Sequence, residues 1–330
     1  MIVPRAFVTR QIFPEALELI AKSAQLEVWP NESPPTPAQL AEKLANADGV
    51  LTNIMDRVDA SLLDRAPRLK VISQLAVGLD NIDVAEASRR RILVGYTPGV
   101  LAKATADAGF ALLMAAARRI SEGDRWGRAG NWKMAFHPMR WLGVDVHGAT
   151  LGIVGLGQIG LEMAKRGLGF EMRVIYYSRT RKPELERQYG LEYADPIALL
   201  RSADFISLHL PLTPETRHYI SERELRLMKS TAILINLARG PVVDSRALYK
   251  ALKEKWIRAA ALDVTDPEPI PQDDPLLTLD NLVVTPHIGS ASLASRREMC
   301  LMAARNLVGG LQGQRLEHCA NPELYPSKGI

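Results

Sequence analysis

Residues 149–160 read ATLGIVGLGQIG, an apolar run that passes directly into glycines at 155, 157 and 160. Residue types in that order are what holding a pyrophosphate requires. At the G-x-G-x-x-G spacing, Gly155 permits a tight turn, Gly157 lets the backbone approach phosphate, and Gly160 lets helix pack on strand. The helix that opens there offers the N–H groups of Gln158 and Ile159, and the positive end of its dipole, to an anion. Spaced glycines also occur in ordinary turns, so the flanks decide. Leu151–Val154 has the pattern of a short buried strand, Leu161–Arg166 of an amphipathic helix, and Met172–Tyr177 of a second strand, which together make a βαβ unit.

Working outward, the same alternation fills the chain. Toward the N-terminus, strands are predicted at Ala6–Thr9, Leu26–Trp29, Gly49–Asn53, Lys70–Ala76 and Ile92–Tyr96, with helices at Pro14–Ser23, Pro37–Ala45 and Asp83–Ser88. The proline-rich stretch Glu32–Pro37 reads as a plain loop. Pro98 and Gly99 mark a boundary, and the apolar helix Leu101–Arg119 behind them reads as a connector. Beyond the glycine turn, strands follow at Ala203–Leu208, Ala232–Asn236, Ala259–Asp263 and Leu282–Thr285, with helices near Pro196, Ser221 and Asp244 and a closing helix over Ala291–Leu311. The fold class is therefore α/β, with parallel sheets covered by helices. Two domains are expected: residues 1–98 with 291–330, a discontinuous flavodoxin-like substrate domain, and residues 99–290, a nucleotide-binding Rossmann domain.

Composition narrows the function classes. In 330 residues, 47% hydrophobic and 24% charged, a net charge of +4 comes from Lys and Arg scattered along the chain. That argues against nucleic acid and for a small anionic ligand. Two cysteines, Cys300 and Cys319, give neither a disulfide framework nor a metal cluster, so no metal and a reducing cytoplasm are expected. No membrane association is expected, since Arg5 and Arg10 interrupt the N-terminal apolar residues and the longest apolar run, 108–117, is too short to span a bilayer.

Two groups of residues carry chemistry. The strand after the glycine turn ends in Ser178-Arg179-Thr180-Arg181, where a dinucleotide site selective for NAD places an Asp or Glu to bind the ribose hydroxyls. No acid stands there. Arg179 and Arg181 can pair with a 2′-phosphate, and Ser178 and Thr180 add hydroxyl donors, which predicts NADP(H) over NAD(H). Further on, Arg239, Glu268 and His287 each lie just past a predicted strand end, as an anion clamp, a carboxylate partner for imidazole, and a proton donor.

The sequence resembles the D-isomer-specific 2-hydroxyacid dehydrogenases, and among them the glyoxylate/hydroxypyruvate reductases. The motifs that carry the resemblance are LAVGLDNID (75–83), KATADAGFALLMAAARR (103–119), GLGQIG (155–160), NLARGPVVD (236–244), LDVTDPEP (262–269) and TPHIGSA (285–291). The resemblance implies two Rossmann-like, doubly wound parallel-sheet domains with an active-site cleft between them, and a homodimer through the nucleotide domains. It implies that Arg239 binds the carboxylate and carbonyl of a small 2-oxo acid, that His287 is the acid/base, and that Glu268 pairs with it. Val77 and Gly78 would offer N–H groups to the carboxylate, with Ile54, Leu75 and Ala76 lining the substrate pocket. Asp263 would hold the nicotinamide carboxamide, and Thr105 would lie beside the nicotinamide. The arm 132–141 is a candidate to reach a partner's site.

Related activities differ at identifiable residues. Phosphite dehydrogenases carry Lys where Val77 stands, and formate dehydrogenases carry Gln as the histidine's partner, where this chain has Glu268. Long-form phosphoglycerate dehydrogenases would need a regulatory domain, and corepressor scaffolds of this type bear long disordered tails. Reductases of this group often have an aromatic residue at the place of Arg140, with Trp141 next in this chain, which keeps 2-ketogluconate open as a substrate.

Overall fold

The structure is a computed structural model that describes residues 3–326; residues 1–2 and 327–330, which end the expected domain ranges, lie outside the described residues. The chain divides into two compact units, Met1–Leu101 with Ser292–Ile330, and Ala102–Ala291.

In the first unit, five strands, β1 (Arg5–Val8), β2 (Gln25–Val28), β3 (Gly49–Thr52), β4 (Val71–Gln74) and β5 (Leu93–Gly95), form a parallel sheet in the order β2-β1-β3-β4-β5. This is the flavodoxin-like order, with its topological switch between β1 and β3. Strand alternation splits the core in two. Phe7, Val50 and Ile72 face helices α2 (Pro37–Leu44), α3 (Ala60–Asp64) and α4 (Val84–Arg89), whereas Val8, Leu51 and Val71 face α1 (Pro14–Ala21) and the C-terminal helix, Leu293–Leu311. That last helix packs closely because Gly310 has no side chain; a Cβ there would lie 2.5 Å from Val71 Cγ2. The proline-rich stretch is more than a plain loop. Thr36 caps α2, its hydroxyl and N–H forming a reciprocal capping box with Gln39, and Pro37 opens the helix with a preset φ.

The second unit holds α5 (Ala102–Ala117), α6 (Ile120–Trp126), β6 (Thr150–Val154), α7 (Gln158–Gly169), β7 (Arg173–Tyr177), α8 (Pro183–Tyr189), β8 (Glu192–Tyr193), α9 (Pro196–Ser202), β9 (Phe205–Leu208), α10 (Glu222–Leu227), β10 (Ile233–Asn236), α11 (Ser245–Lys253), β11 (Ala259–Leu262) and β12 (Leu282–Val284). Its seven strands are all parallel, in the order β12-β11-β10-β9-β6-β7-β8, so the winding reverses between β6 and β9. The expected connector helix is α5 itself, and it is a core element of this unit: Ala106, Leu113 and Ala117 pack with Leu151, Ile153, Ile235 and Ala261. The other face buries Ile206, Leu234 and Ala260 against Leu199, Leu225 and Leu248 of α9, α10 and α11. Among the described residues, no helix is long and apolar enough to cross a membrane.

Candidate active site on the sheet edges

Parallel strands place the loops after β6, β9, β10, β11 and β12 along one edge of the seven-stranded sheet, and α/β folds bind ligands outside that edge at the switch point. The glycine turn leaves β6 there. Gly155 has φ +101°, and a Cβ on it would meet the His209 carbonyl oxygen at 2.6 Å; a Cβ on Gly160 would strike the carbonyl oxygen of Gly155. Gly157 begins α7 with no side-chain cap and with open space where its Cβ would be. The α7 N-terminus thus has room and uncapped N–H groups for a pyrophosphate. The helix begins at Gln158, three residues ahead of the amphipathic pattern, because the glycines carry no apolar signal.

Where the nicotinamide end would lie, Asp263 and Thr105 come together. Asp263 is buried, and its carboxylate accepts hydrogen bonds from Thr285 Oγ1 (2.6 Å), Ile288 N–H (2.8 Å) and Gly289 N–H (2.7 Å). A Cβ on Gly289 would sit 2.9 Å from Asp263 Oδ2 and 3.3 Å from Thr105 Cγ2. The hydroxyl of Thr105 is buried with no hydrogen-bond partner among the described residues. Orphaned buried hydroxyls cost stability unless something completes them, so this cradle of glycine, carboxylate and hydroxyl fits an amide-bearing ring.

Arg239, Glu268 and His287 follow the adjacent strands β10, β11 and β12. Buried Asn236 shapes the first loop, its Nδ2 donating to the Arg239 carbonyl (2.9 Å) and its Oδ1 accepting from the Ala238 N–H (3.0 Å). Gly240 then lies against the next loop so closely that a Cβ would overlap the Thr265 carbonyl. His287 Nδ1 and Glu268 Oε1 are 2.5 Å apart, with both side chains under a third exposed. The His287 backbone is left-handed (φ +53°), and its N–H is shared between the carbonyls of Asp263 and Thr285 at 3.0 Å each. Asp263 therefore grips the histidine's loop through side chain and main chain alike.

The residues at the end of β7 divide. Arg181 makes a two-pronged pair with Glu186 (2.9 and 2.8 Å) and lies over the Tyr193 ring at 5.5 Å. Tyr176 also donates to Glu186 at 2.6 Å. Arg181 and then Tyr176 hold the Glu186 carboxyl down at about 2, while burial, with Glu186 beside it, pushes the Tyr176 phenol up to about 12. Arg179 and Thr180 are exposed and Ser178 half-buried. Glu215, beyond β9, is lowered chiefly by hydrogen bonding to Thr213 and its own backbone, with the charge of Arg179 adding to it.

His209 escaped sequence reasoning because it lies within an apolar segment. Burial pushes its imidazole down to about 4, and Nε2 meets Ser207 Oγ at 2.9 Å beneath the glycine turn. In the other unit, Ile54 follows β3, and Leu75, Ala76, Val77 and Gly78 follow β4, at the C-terminal edge of the five-stranded sheet. Among the described residues, no group of three or more His, Cys, Asp or Glu is placed to hold a metal ion.

Edge loops after β6, β10, β11 and β12 with this donor set describe a dinucleotide-dependent dehydrogenase, and known proteins agree. Residues 110–289 match the NAD binding domain of the D-isomer specific 2-hydroxyacid dehydrogenases, and the chain belongs to that family of NAD(P)-dependent oxidoreductases. It is 50% identical over 321 residues to a glyoxylate reductase of Korarchaeum cryptofilum, covering 97% of each chain. A solved protein of Thermus thermophilus superposes with a TM-score of 0.89 at 44% identity, covering 96% of this chain and 99% of that one. An NADPH-dependent glyoxylate/hydroxypyruvate reductase of Sinorhizobium meliloti, solved with NADP and malonate, superposes with a TM-score of 0.86 at 28% identity, all of each chain being covered.

Proposed function

We propose that this protein reduces glyoxylate, and hydroxypyruvate beside it, to the 2-hydroxy acid with NADPH preferred over NADH. The observation that carries the reading is the Glu268–His287 pair on the loops beside that of Arg239, in a chain half identical to a glyoxylate reductase over nearly its full length.

The residues suit the demands of carbonyl reduction. A bound nicotinamide supplies the hydride. Negative charge then grows on the substrate oxygen and must be stabilised and protonated. With Nδ1 committed to Glu268, His287 exchanges its proton through Nε2. Arg239 pairs with the carboxylate and polarises the carbonyl. Val77 and Gly78 give N–H groups to the carboxylate, and Ile54, Leu75 and Ala76 shape the space for the 2-substituent. Thr105 and Asp263 hold the carboxamide end of the cofactor, and Gly155, Gly157, Gln158, Ile159 and Gly160 its pyrophosphate. The preference for NADPH rests on Arg179 with Ser178 and Thr180, Arg181 bracing the turn from its pair with Glu186. We further infer a homodimer in a reducing cytoplasm. Trp132, Met134, Phe136 and Met139 are each more than 60% exposed, four large apolar side chains on one short arm that a second copy would cover.

Initial rates with glyoxylate, hydroxypyruvate, pyruvate and 2-ketogluconate, each with NADPH and with NADH, test the reading. The expected order places glyoxylate with NADPH first. A rate with 2-ketogluconate above all others would move the assignment to that substrate, which the Arg140-Trp141 departure keeps open.

A further inference from the structure

The turn after β4 presents two peptide N–H groups, those of Val77 and Gly78, that have no hydrogen-bond acceptor among the described residues. Part of the backbone beside them is engaged. Leu75 N–H donates to the Thr52 carbonyl (2.8 Å), and Thr97 N–H donates to the carbonyl of Ala76 (2.9 Å). Behind the turn lies Gln74, fully buried. Its Oε1 accepts from Thr52 Oγ1 (2.8 Å), and its Nε2 donates to Asn81 Oδ1 (2.7 Å) and to the Gly78 carbonyl (3.3 Å). Asn81 uses both hydrogens of its Nδ2 on the carbonyls of Asn53 (2.9 Å) and Asp56 (2.7 Å). The Asn53–Asp56 loop is itself tied down, because buried Asp56 accepts from Thr9 Oγ1 (2.5 Å) and from the Asn53 N–H (2.9 Å).

This chain of amides has a direction. Each of the four amide hydrogens of Gln74 and Asn81 has an acceptor, and turning either amide over would set acceptor against acceptor. The network ends on the carbonyl of a glycine, the residue whose backbone most needs an external brace to hold one orientation. We propose that Asn81, acting with Gln74, is a positioning residue: through the Gly78 carbonyl it fixes the turn whose Val77 and Gly78 N–H groups take up the substrate carboxylate, and locks that turn to the Asn53–Asp56 loop that carries Ile54. The proposal rests on the reading of Val77 and Gly78 as carboxylate donors.

Initial rates over glyoxylate and over NADPH, with calorimetric affinity for oxalate in the presence of NADPH, decide it on the full chain. Asn81→Ala and Gln74→Met should raise the KM for glyoxylate and the Kd for oxalate by about tenfold. The KM for NADPH should stay within about twofold and kcat change less than KM, a split that loosening of the fold would not give. Thr52→Ser, which keeps the hydroxyl, should behave as wild type, and Thr52→Val should resemble Gln74→Met. The Thr52 pair carries the comparison should the larger changes prevent folding. Unchanged glyoxylate KM and oxalate Kd in a folded Asn81→Ala, or equal losses toward substrate and cofactor, would overturn the proposal. A wild type that binds oxalate but leaves glyoxylate unreduced would overturn the substrate reading instead, and the oxalate affinities of the variants would still decide the role of Asn81.

Discussion

Arg179 and Arg181 stand two residues apart on one turn, and their surroundings separate them. Arg181 pairs with Glu186, whereas Arg179 is exposed and its charge acts on the Glu215 carboxyl. Arg179→Ala should therefore raise the KM for NADPH by about tenfold or more, a charge-assisted contact's worth, and that for NADH by less than about twofold. Equal effects would remove Arg179 from phosphate recognition. The Glu186 pair makes a second prediction. Its carboxyl is held at about 2 against an ordinary value of 4.5, so its contribution to stability is full above about pH 4.5 and is lost as pH falls toward 2. The difference in melting temperature between wild type and Glu186→Gln should shrink over that range, and a difference independent of pH would mean that the pair does not stabilise the fold. Sequence showed that this turn is basic and lacks an acid at 178; it could not show that Glu186, a full helical turn on, engages one arginine, since that pairing depends on where α8 begins.

At the scale of elements, strands were legible because buried parallel strands are continuous apolar runs, and the glycine turn because its spacing has a mechanical meaning. The elements that escaped are short, and most are wet; α3 buries Leu62 and Leu63 but spans only five residues. Neither β8, with two exposed residues, nor α8, with none buried, has an apolar face to announce it. Asn81 was hidden because its side chain acts on the carbonyls of Asn53 and Asp56, which only the fold brings near, whereas Asn236 acts on its own loop, at Ala238 and Arg239, and has no apolar pattern to mark it. Edge loops also pack backbone on backbone, which sequence registers only as glycine. Gly240→Ala would press a methyl into the Thr265–Asp266 peptide and push away the loop that carries Glu268. It should lower kcat by about 10²-fold or more with NADPH affinity retained, since small displacements of catalytic groups cost that much. Activity close to wild type, measured alongside cofactor titration, would show that the loops tolerate separation.

At the scale of the whole molecule, the exposed arm 132–142 is the feature that a lone chain leaves unexplained. Its Trp141 packs against Trp126 with ring centroids 5.3 Å apart and under Arg119, while Phe136 is 78% exposed. A second copy is the proposed cover, and sedimentation should find a dimer that Phe136→Asp weakens toward monomer; a wild type that sediments as a monomer at all concentrations would contradict it. The central claim is chemical, and one comparison reaches it: glyoxylate-dependent oxidation of NADPH by the wild type and by His287→Ala, with NADPH binding titrated on both. The wild type should turn over, and the variant should lose about 10²- to 10⁴-fold in kcat while binding NADPH as before. A wild type idle toward glyoxylate, or a variant within about tenfold of it, would contradict the account.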